Sequence, residues 1–562
     1  MLNFHFNLES GITNWRPCSR GWTCGNSSVT PFAHAALEIF ALRSERKVLF
    51  VIREKINGNS NPKNDQHIHE VSEEELEKER FGQKDWPLTN ISIVIEDAPD
   101  GKHIEIKNGL GATAPVFVIR KKHELWGHWD PTELYHLLPT QPFNRERVSH
   151  FLIGFANHYS KHTLFENLGQ LTERATLNFS MKKSNTYSYT IDYPQSISTP
   201  SSSRELKPRA DVLAAFDSIL SGSIQRWINK EVGITAEMSG GLDSGCVVAA
   251  ASSLLTQPLH TCGVIVSGEI GESQLSRRNE IASQFELRDS YIRAKDHLPF
   301  AKTGSRFSQD YFVPWEECYY EAFDKMYEGD SELSNRLLFT GLGGDELFYP
   351  HWNELENQEQ HRQKNQEDHG ISPEEIPAYI NHETKAIYYN SIATLDRAPR
   401  SIIPTSSLES AGYGDARLLR SGIWPAHPFC TPELIWFCRS LPSKWRKNRR
   451  LQRDFLTRKG CATTVTHPSL PETFTDVMAH SLTKSSKSLI KALLEDSYLQ
   501  RLGYIDADKF LQLYNKCCRN GKGEAYYPGF YAVTILELTL RSIQGKKEKY
   551  TPSRGVSNFS LV

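Results

Sequence analysis

Two glycine-rich segments, each carrying an acidic residue just past its glycines, hold the side chains best suited to chemistry in this 562-residue chain. The first is Met238-Ser239-Gly240-Gly241-Leu242-Asp243-Ser244. It follows Gly233-Ile234-Thr235-Ala236-Glu237, which has the composition of a buried strand, and it runs into residues 245–251, which read as a helix start. A strand, a Ser-Gly-Gly turn and a helix N-terminus together make an anion site. Glycines let backbone N–H groups close around phosphate oxygens, and the helix dipole adds positive potential. Ser239 and Ser244 supply hydroxyl donors. Asp243 is repelled by a bare phosphate, so a divalent cation between the two is the natural reading. No Lys follows the glycines, so this is not a Gly-x4-Gly-Lys-Ser loop.

The second segment is Gly341-Leu342-Gly343-Gly344-Asp345-Glu346-Leu347-Phe348, preceded by the strand-like Leu337-Leu338-Phe339-Thr340. Parallel sheets place their ligands at the carboxyl ends of strands, which is where both glycine runs fall. On neighbouring strands, Asp243 and Asp345 would stand near one triphosphate and suit Mg²⁺. The first loop resembles the pyrophosphate loop of the ATP pyrophosphatases. The ordered pair resembles the synthetase domain of the asparagine synthetase family, which includes β-lactam synthetases and lasso-peptide cyclases. The resemblance implies ATP and Mg²⁺ as cofactors. It implies ATP contacts at Ser239, Gly240, Gly241, Leu242, Asp243, Ser244, Val264, Gly343 and Gly344, with Asp243 and Asp345 on the metal.

The resemblance extends to the first 200 residues, which look like a degenerate amidotransferase domain. Residues 111–117 followed by Leu125-Trp126-Gly127-His128-Trp129 are similar to that domain's central hairpin, and residues 177–180 to the end of one of its last strands. Glutamine-using members carry a nucleophilic Cys at position 2; here it is Leu2, which cannot attack an amide, so no glutaminase activity is expected. In the second motif Leu342 stands where asparagine synthetases carry Glu and β-lactam synthetases a catalytic Tyr, and it can neither accept nor relay a proton. Glu346 reads as a surviving catalytic carboxylate or as a helix N-terminal acid. Lys484 falls where the family places a Lys over the acyl-adenylate, with Lys487 as competitor; the bland reading of both is a solvated surface. Residues 424–429 are similar to the family's Pro-Phe-Leu-Asp stretch, but Thr431 replaces the Asp.

Bulk properties bound these readings. Hydrophobic content is 39%, aromatic content 11% and formal net charge −2, which suit a folded protein with no global drive toward nucleic acid. The ten cysteines are scattered without Cys-x-x-Cys spacing and read as reduced thiols in a cytoplasmic protein. The sequence shows no signal peptide and no membrane span. The 20 His show no metal spacing; His67 and His69 read as incidental. Residues 444–450 and Arg453 form the strongest basic run, read first as a solvated helix face, then as a dock for an acidic leader peptide or a nucleic-acid patch.

The fold class expected is α/β. A β-rich sandwich spans 1–200, with strands over 47–52, 91–95 and 115–119 and a mobile polar insertion over 55–84. A linker follows at 195–203. A parallel-sheet synthetase domain with added helices spans 206–545, its strands at 233–237, 261–266, 289–292 and 337–340, with a helical face over 212–228. Residues 353–375 read as an exposed loop or lid, the chain beyond Pro377 as mainly helical, and 546–562 as a loose tail. The functional expectation is an AMP-forming amide ligase. Without glutamine chemistry the amine comes from the substrate itself, which favours a lasso-type macrolactam synthetase acting on a precursor peptide, with a leader peptidase or leader-binding protein as further partner. The rivals are an ammonia-dependent asparagine synthetase, a β-lactam synthetase, a tRNA-modifying relative and a non-catalytic scaffold.

Overall fold

The computed structural model describes residues 1–550 except 13, 59–60, 112, 199, 201–202, 230–231, 329–335, 349–369, 471 and 521–522. The lid expected at 353–375 lies largely outside the described residues. Alternating apolar residues in the first part of the chain build two seven-stranded sheets packed face to face. One runs, in spatial order, Leu168–Gln170, Phe117–Lys121, Glu124–His128, Leu2–Asn7, Ser27–Pro31, Gly21–Cys24 and Arg16–Cys18. The other runs Tyr187–Asp192, Thr176–Lys182, Gly101–Asn108, Asn90–Ala98, Lys47–Glu54, Leu37–Arg43 and Ile68–Glu70. Phe4, Phe6, Trp15, Trp22, Phe50, Ile93 and Ile104 fill the space between them. Leu2 is fully buried in this core.

The polar stretch read as a mobile insertion is mostly ordered. Ile68–Glu70 adds a parallel edge to Leu37–Arg43, and Glu73–Gly82 is a helix capped by Ser72. Leu76 is its single buried side chain, while Lys47 of the neighbouring strand pairs with Glu73 and Glu77 at 2.7 and 2.6 Å. Low hydrophobicity did not mean mobility, because one buried leucine and local ion pairs suffice to dock a short helix on an existing sheet.

The second part is a five-stranded parallel sheet in the order Arg288–Arg293, His260–Ile265, Gly233–Glu237, Arg336–Phe339, Trp424–Ala426. The fifth strand, Trp-Pro-Ala, is three residues long and gave no periodic signal. Helices Leu242–Ser252, Gly268–Gln284, Tyr320–Glu328 and Thr405–Arg420 lie along the connections. The chain moves outward twice on one side of Gly233–Glu237 and then crosses to the other side. The strand order therefore reverses between Gly233–Glu237 and Arg336–Phe339, the place where such sheets open a ligand crevice. Helices Arg145–Gly154, Lys487–Glu495 and Tyr498–Arg501 pack on Tyr527–Tyr550, which continues past the expected start of the tail, while Val212–Gln225 and Arg450–Arg458 pack on Leu242–Ser252. Lys546 and Lys547 in its last turn donate to the carbonyls of Thr132 and Pro139 at 3.0 and 2.6 Å, so residues 546–550 belong to the fold.

Both parts share one apolar core, and polar contacts tie them together. Arg420 donates to Asp130 of the sandwich region (2.7 and 3.0 Å) and to Glu316 (2.7 and 2.9 Å), all three buried. Burial opposes the charge on Asp130, yet the Arg420 guanidinium overcomes it and holds the carboxyl down at about 2. Glu54 accepts from Trp424 Nε1 at 2.6 Å and from the Thr89 N–H at 2.9 Å. Burial outweighs these bonds and the nearby His427 charge, and pushes its carboxyl up to about 6.

That shift has a defined sign. The folded state binds the Glu54 proton more tightly than the unfolded chain, so the associated stability is complete at low pH. It is lost as pH rises through about 4.5 to 6. In Glu54→Gln the amide removes this titration but leaves the Thr89 N–H unpaired at every pH. Urea denaturation of both proteins should show the difference moving in favour of Gln by ~2 kcal/mol between acid and neutral pH. Parallel profiles would contradict the assignment.

Candidate functional site

The first turn begins where Gly233–Glu237 ends. Gly240 has φ +89°, a left-handed conformation that glycine adopts without strain. The Gly241 N–H donates to Ser239 Oγ at 3.0 Å, the Ser239 N–H to Ser244 Oγ at 3.2 Å, and the two hydroxyls lie 3.2 Å apart. Helix Leu242–Ser252 starts from Gly241 and is buried along nearly its whole length, so its N-terminus is fixed. Outside the turn, Arg277 Nε donates to the Gly240 carbonyl at 2.9 Å.

The second turn ends strand Arg336–Phe339 and is interlocked with the first. A Cβ on Gly344 would lie 2.2 Å from Asp243 Oδ1, and one on Gly341 would lie 2.8 Å from the Ser244 nitrogen. Only residues without side chains let the two turns approach this closely. Their contact brings Asp243 and Asp345 to one cation: Arg449 reaches Asp243 Oδ2 at 3.0 Å and also pairs with Asp345 Oδ1. Gln452 donates its amide to Asp243 Oδ1. Burial pushes the Asp243 carboxyl up and the nearby Glu346 charge adds to this, while Arg449 and Gln452 pull it back.

The structure thus brings together Ser239, Gly240, Gly241, Leu242, Asp243, Ser244, Gly343, Gly344, Asp345 and Glu346. Glu346 is half-buried, and Arg439 donates to its carbonyl at 3.3 Å. The other expected residues are not joined to this cluster. Val264 packs in an apolar cluster with Cys262 and Leu338, and its carbonyl accepts from Gln274 at 3.0 Å. Lys484 is exposed in the wide turn Ser481–Ser485, which Ser481 fastens to the Pro299 carbonyl at 2.6 Å; Lys487 opens the next helix. No described contact links either lysine to the turns. Leu342 is half-buried, with its carbonyl accepting from Cys430 Sγ at 3.7 Å. Thr431 is buried, bonded to Ser223 Oγ and the Pro428 carbonyl.

Arg277, Gln452 and Glu472 at the site went unnoticed in the sequence, and Arg449 was read only as part of the basic run. Arg449 lies inside the basic run read as a solvated face. That reading fails here, because Arg446 is wholly buried, Arg449 bridges the two carboxylates and Arg453 donates to the carbonyls of Asn448 and Thr466. The remaining cations, Lys444, Lys447 and Arg450, line a cleft of about 680 Å³ with Arg453 and His467, opposed by Asp454.

Whether Mg²⁺ suits this place can be judged from the donors. Two carboxylates from separate turns converge on one positive charge beside an anion-cradling loop, the donor set Mg²⁺ takes alongside phosphate oxygens. Among the described residues no group of three or more His, Cys, Asp and Glu could hold a metal, so phosphate and water would have to complete the shell. All ten cysteines are free thiols, and among the described residues no helix is long and apolar enough to cross a membrane.

Compared with known proteins, residues 215–540 match a family model described as asparagine synthase, which is more than half of the chain. No curated protein matches.

The interlock can be tested at one atom. Gly344→Ala should cost about 1–3 kcal/mol of stability by overpacking and should abolish binding of ATP with Mg²⁺. Gly412→Ala is the control: nothing lies within 4 Å of its Cβ position, and stability there should hold or rise by about 1 kcal/mol. Thermal unfolding and calorimetric titration of both variants check this; retained nucleotide binding in Gly344→Ala would show that the approach of the turns is incidental.

Proposed function

The chain belongs to the asparagine synthase family of ATP-dependent, AMP-forming ligases, and on that premise we propose that it closes a macrolactam in a precursor peptide, as lasso cyclases do. The observation that carries this reading is the pair of interlocked turns, with Asp243 and Asp345 converging on one cation beside the N–H groups of the Ser239–Gly241 turn.

The chemistry assigned to the residues follows from that geometry. The first turn binds the β- and γ-phosphates, so that cleavage falls between the α- and β-phosphates and pyrophosphate is the leaving group. Asp243 and Asp345 would hold Mg²⁺, which when bound neutralises charge on the triphosphate. The peptide carboxylate attacks the α-phosphate to give an acyl-adenylate. The N-terminal amine of the same peptide then attacks the acyl carbon and releases AMP. Holding amine and acyl group in one molecule supplies up to about 7–11 kcal/mol of proximity. Glu346, whose charge acts on Asp243, is the candidate base. Lys484 and Lys487 stay rival candidates for charge over the acyl phosphate, and either would have to be carried to the turns on closure.

Two features support a peptide as substrate. Position 2 offers no thiol: Leu2 is buried in the sandwich core, which supports reading that region as scaffold or docking surface rather than glutaminase. The basic cleft opens on the chain segment that carries Arg449, and its cations outnumber its one acid, Asp454, which suits an acidic leader.

The reaction is tested with a linear peptide bearing a free N-terminal amine and an acidic residue several positions on. Mass spectrometry should show loss of one water, with AMP accumulating; the N-acetylated peptide should not close. Glutamine should yield no glutamate above background. ADP in place of AMP would exclude this mechanism. Asparagine formed from aspartate and ammonium, without peptide closure, would transfer the assignment to the ammonia-dependent synthetase.

A further inference from the structure

The site's two charged positions, one for anion and one for cation, are both filled by side chains of a single stretch of this chain. Glu472 lies over the first turn. Its two carboxylate oxygens stand 3.8 and 3.9 Å from where a Gly241 Cβ would be. Arg277 holds it: NH2 reaches Glu472 Oε1 at 2.7 Å while Nε binds the Gly240 carbonyl and NH1 binds Ser273 Oγ at 2.9 Å. The Ser239 hydroxyl faces the same carboxylate and, with Arg277, pulls its titration down against burial. The groups around Glu472, a serine hydroxyl, an arginine and the N-terminus of the eleven-residue helix Leu242–Ser252, are those that recognise a phosphate oxygen.

Arg449 does the equivalent on the other side. It occupies the space between Asp243 and Asp345, the position argued above for a divalent cation. Its backbone is left-handed (φ +54°), as is that of Asn448 before it (φ +54°), an unusual pairing of two non-glycine residues in that region. The intervening helix Arg450–Arg458 is anchored independently: Leu456 packs against Gly245, and Leu451, Phe455 and Leu456 are buried. The helix is therefore a fixed support, and what can leave the site is the side chain at each end of the stretch.

We propose that Arg449 and Glu472 are a built-in occupant of the nucleotide site. Glu472 stands in for a phosphate on the first turn, and Arg449 stands in for the metal between the two aspartates. Magnesium pyrophosphate, or the same part of ATP, binds by displacing both. The proposal rests on the ATP reading above. It adds that affinity for the phosphates is set by competition from this chain's own carboxylate, so removing that carboxylate strengthens binding. A Glu472 that served only to brace Arg277 would give the opposite result, because its loss would loosen the turn.

The test uses the full chain. Calorimetry compares wild type with Glu472→Gln, titrated with pyrophosphate in Mg²⁺ and separately with ATP in Mg²⁺. The variant should bind pyrophosphate at least about tenfold more tightly, as expected when like charge is removed from a site. Arg449→Gln, titrated with Mn²⁺ alone and followed by electron paramagnetic resonance, should bind the ion about tenfold more tightly than wild type, for the same reason. Unfolding midpoints establish that each variant is folded, and Glu472→Ala replaces Glu472→Gln if the latter is not. Equal or weaker pyrophosphate binding by the folded Glu472 variant, with wild type still binding ATP, overturns the occupant and leaves the ATP reading intact. Unchanged Mn²⁺ binding in Arg449→Gln overturns the cation half. If neither wild type nor variant binds ATP or pyrophosphate, the ATP reading and this proposal fall together.

Discussion

The approach of the two glycine turns is the constraint on which the site depends. Asp243 lies in space that any side chain at residue 344 would fill. That contact requires the turns to sit at the ends of adjacent parallel strands, and Gly233–Glu237 and Arg336–Phe339 pair in register from Gly233↔Arg336 to Ala236↔Phe339. It also requires compensation, because bringing Asp345 toward an Asp243 that is already desolvated and faces Glu346 raises the energy of every charge present. Arg449 supplies it. Crossover topology, glycine placement and a cation from a distant helix are thus parts of one electrostatic arrangement.

The sandwich region matters to this arrangement through the sheet's far edge. Trp424–Ala426 is a short strand, held on one side by pairing with Arg336–Phe339 and on the other by the Trp424–Glu54 hydrogen bond. Residues that follow it touch the second turn: a Cβ on Gly343 would meet Cys430 Sγ at 3.0 Å, and Cys430 also bonds to the Leu342 carbonyl. Buried salt bridges such as Arg420 with Asp130 and Glu316 are weak evidence for net stability, but they fix orientation. The region therefore has a structural role, since the edge strand behind the second turn is braced against it.

The α/β class, the four longer strands of the parallel sheet and both turns were legible because each carries a local signal: short strand-like runs alternating with helical segments, two of the runs leading directly into glycines. What escaped had no local signal. Trp424–Ala426 is too short for periodicity. The helix Glu73–Gly82 is nearly all polar, and a single buried leucine together with ion pairs to Lys47, Arg53 and Glu105 orders it. Arg277 comes from one segment and Arg449, Gln452 and Glu472 from another far along the chain, and a basic run looks the same whether it faces solvent or two aspartates. Val264, Lys484 and Lys487 were placed by resemblance: no described contact joins the two lysines to the turns, while the Val264 carbonyl accepts from Gln274, whose own carbonyl abuts Gly240.

Several departures from ordinary local rules meet at this place, as others do elsewhere in the chain. Two consecutive non-glycine residues at positive φ cost of order 1–3 kcal/mol each, Asp243 and Glu472 have carboxyls raised by burial, and the wholly buried Arg278 lies under strand His260–Ile265 where Gly263 makes room for it. Such costs persist where surrounding structure over-determines them. Here the surroundings do so twice, since helix Arg450–Arg458 is fixed by its apolar face and the turns by their glycines. A chain that had kept this fold only as a scaffold would be free to relax any one of these features by a single substitution: a glycine at 449, a neutral residue at 472 or an alanine in place of Asp243. That all of them stand together, each stabilising only in the presence of the others, weighs toward a site kept for binding.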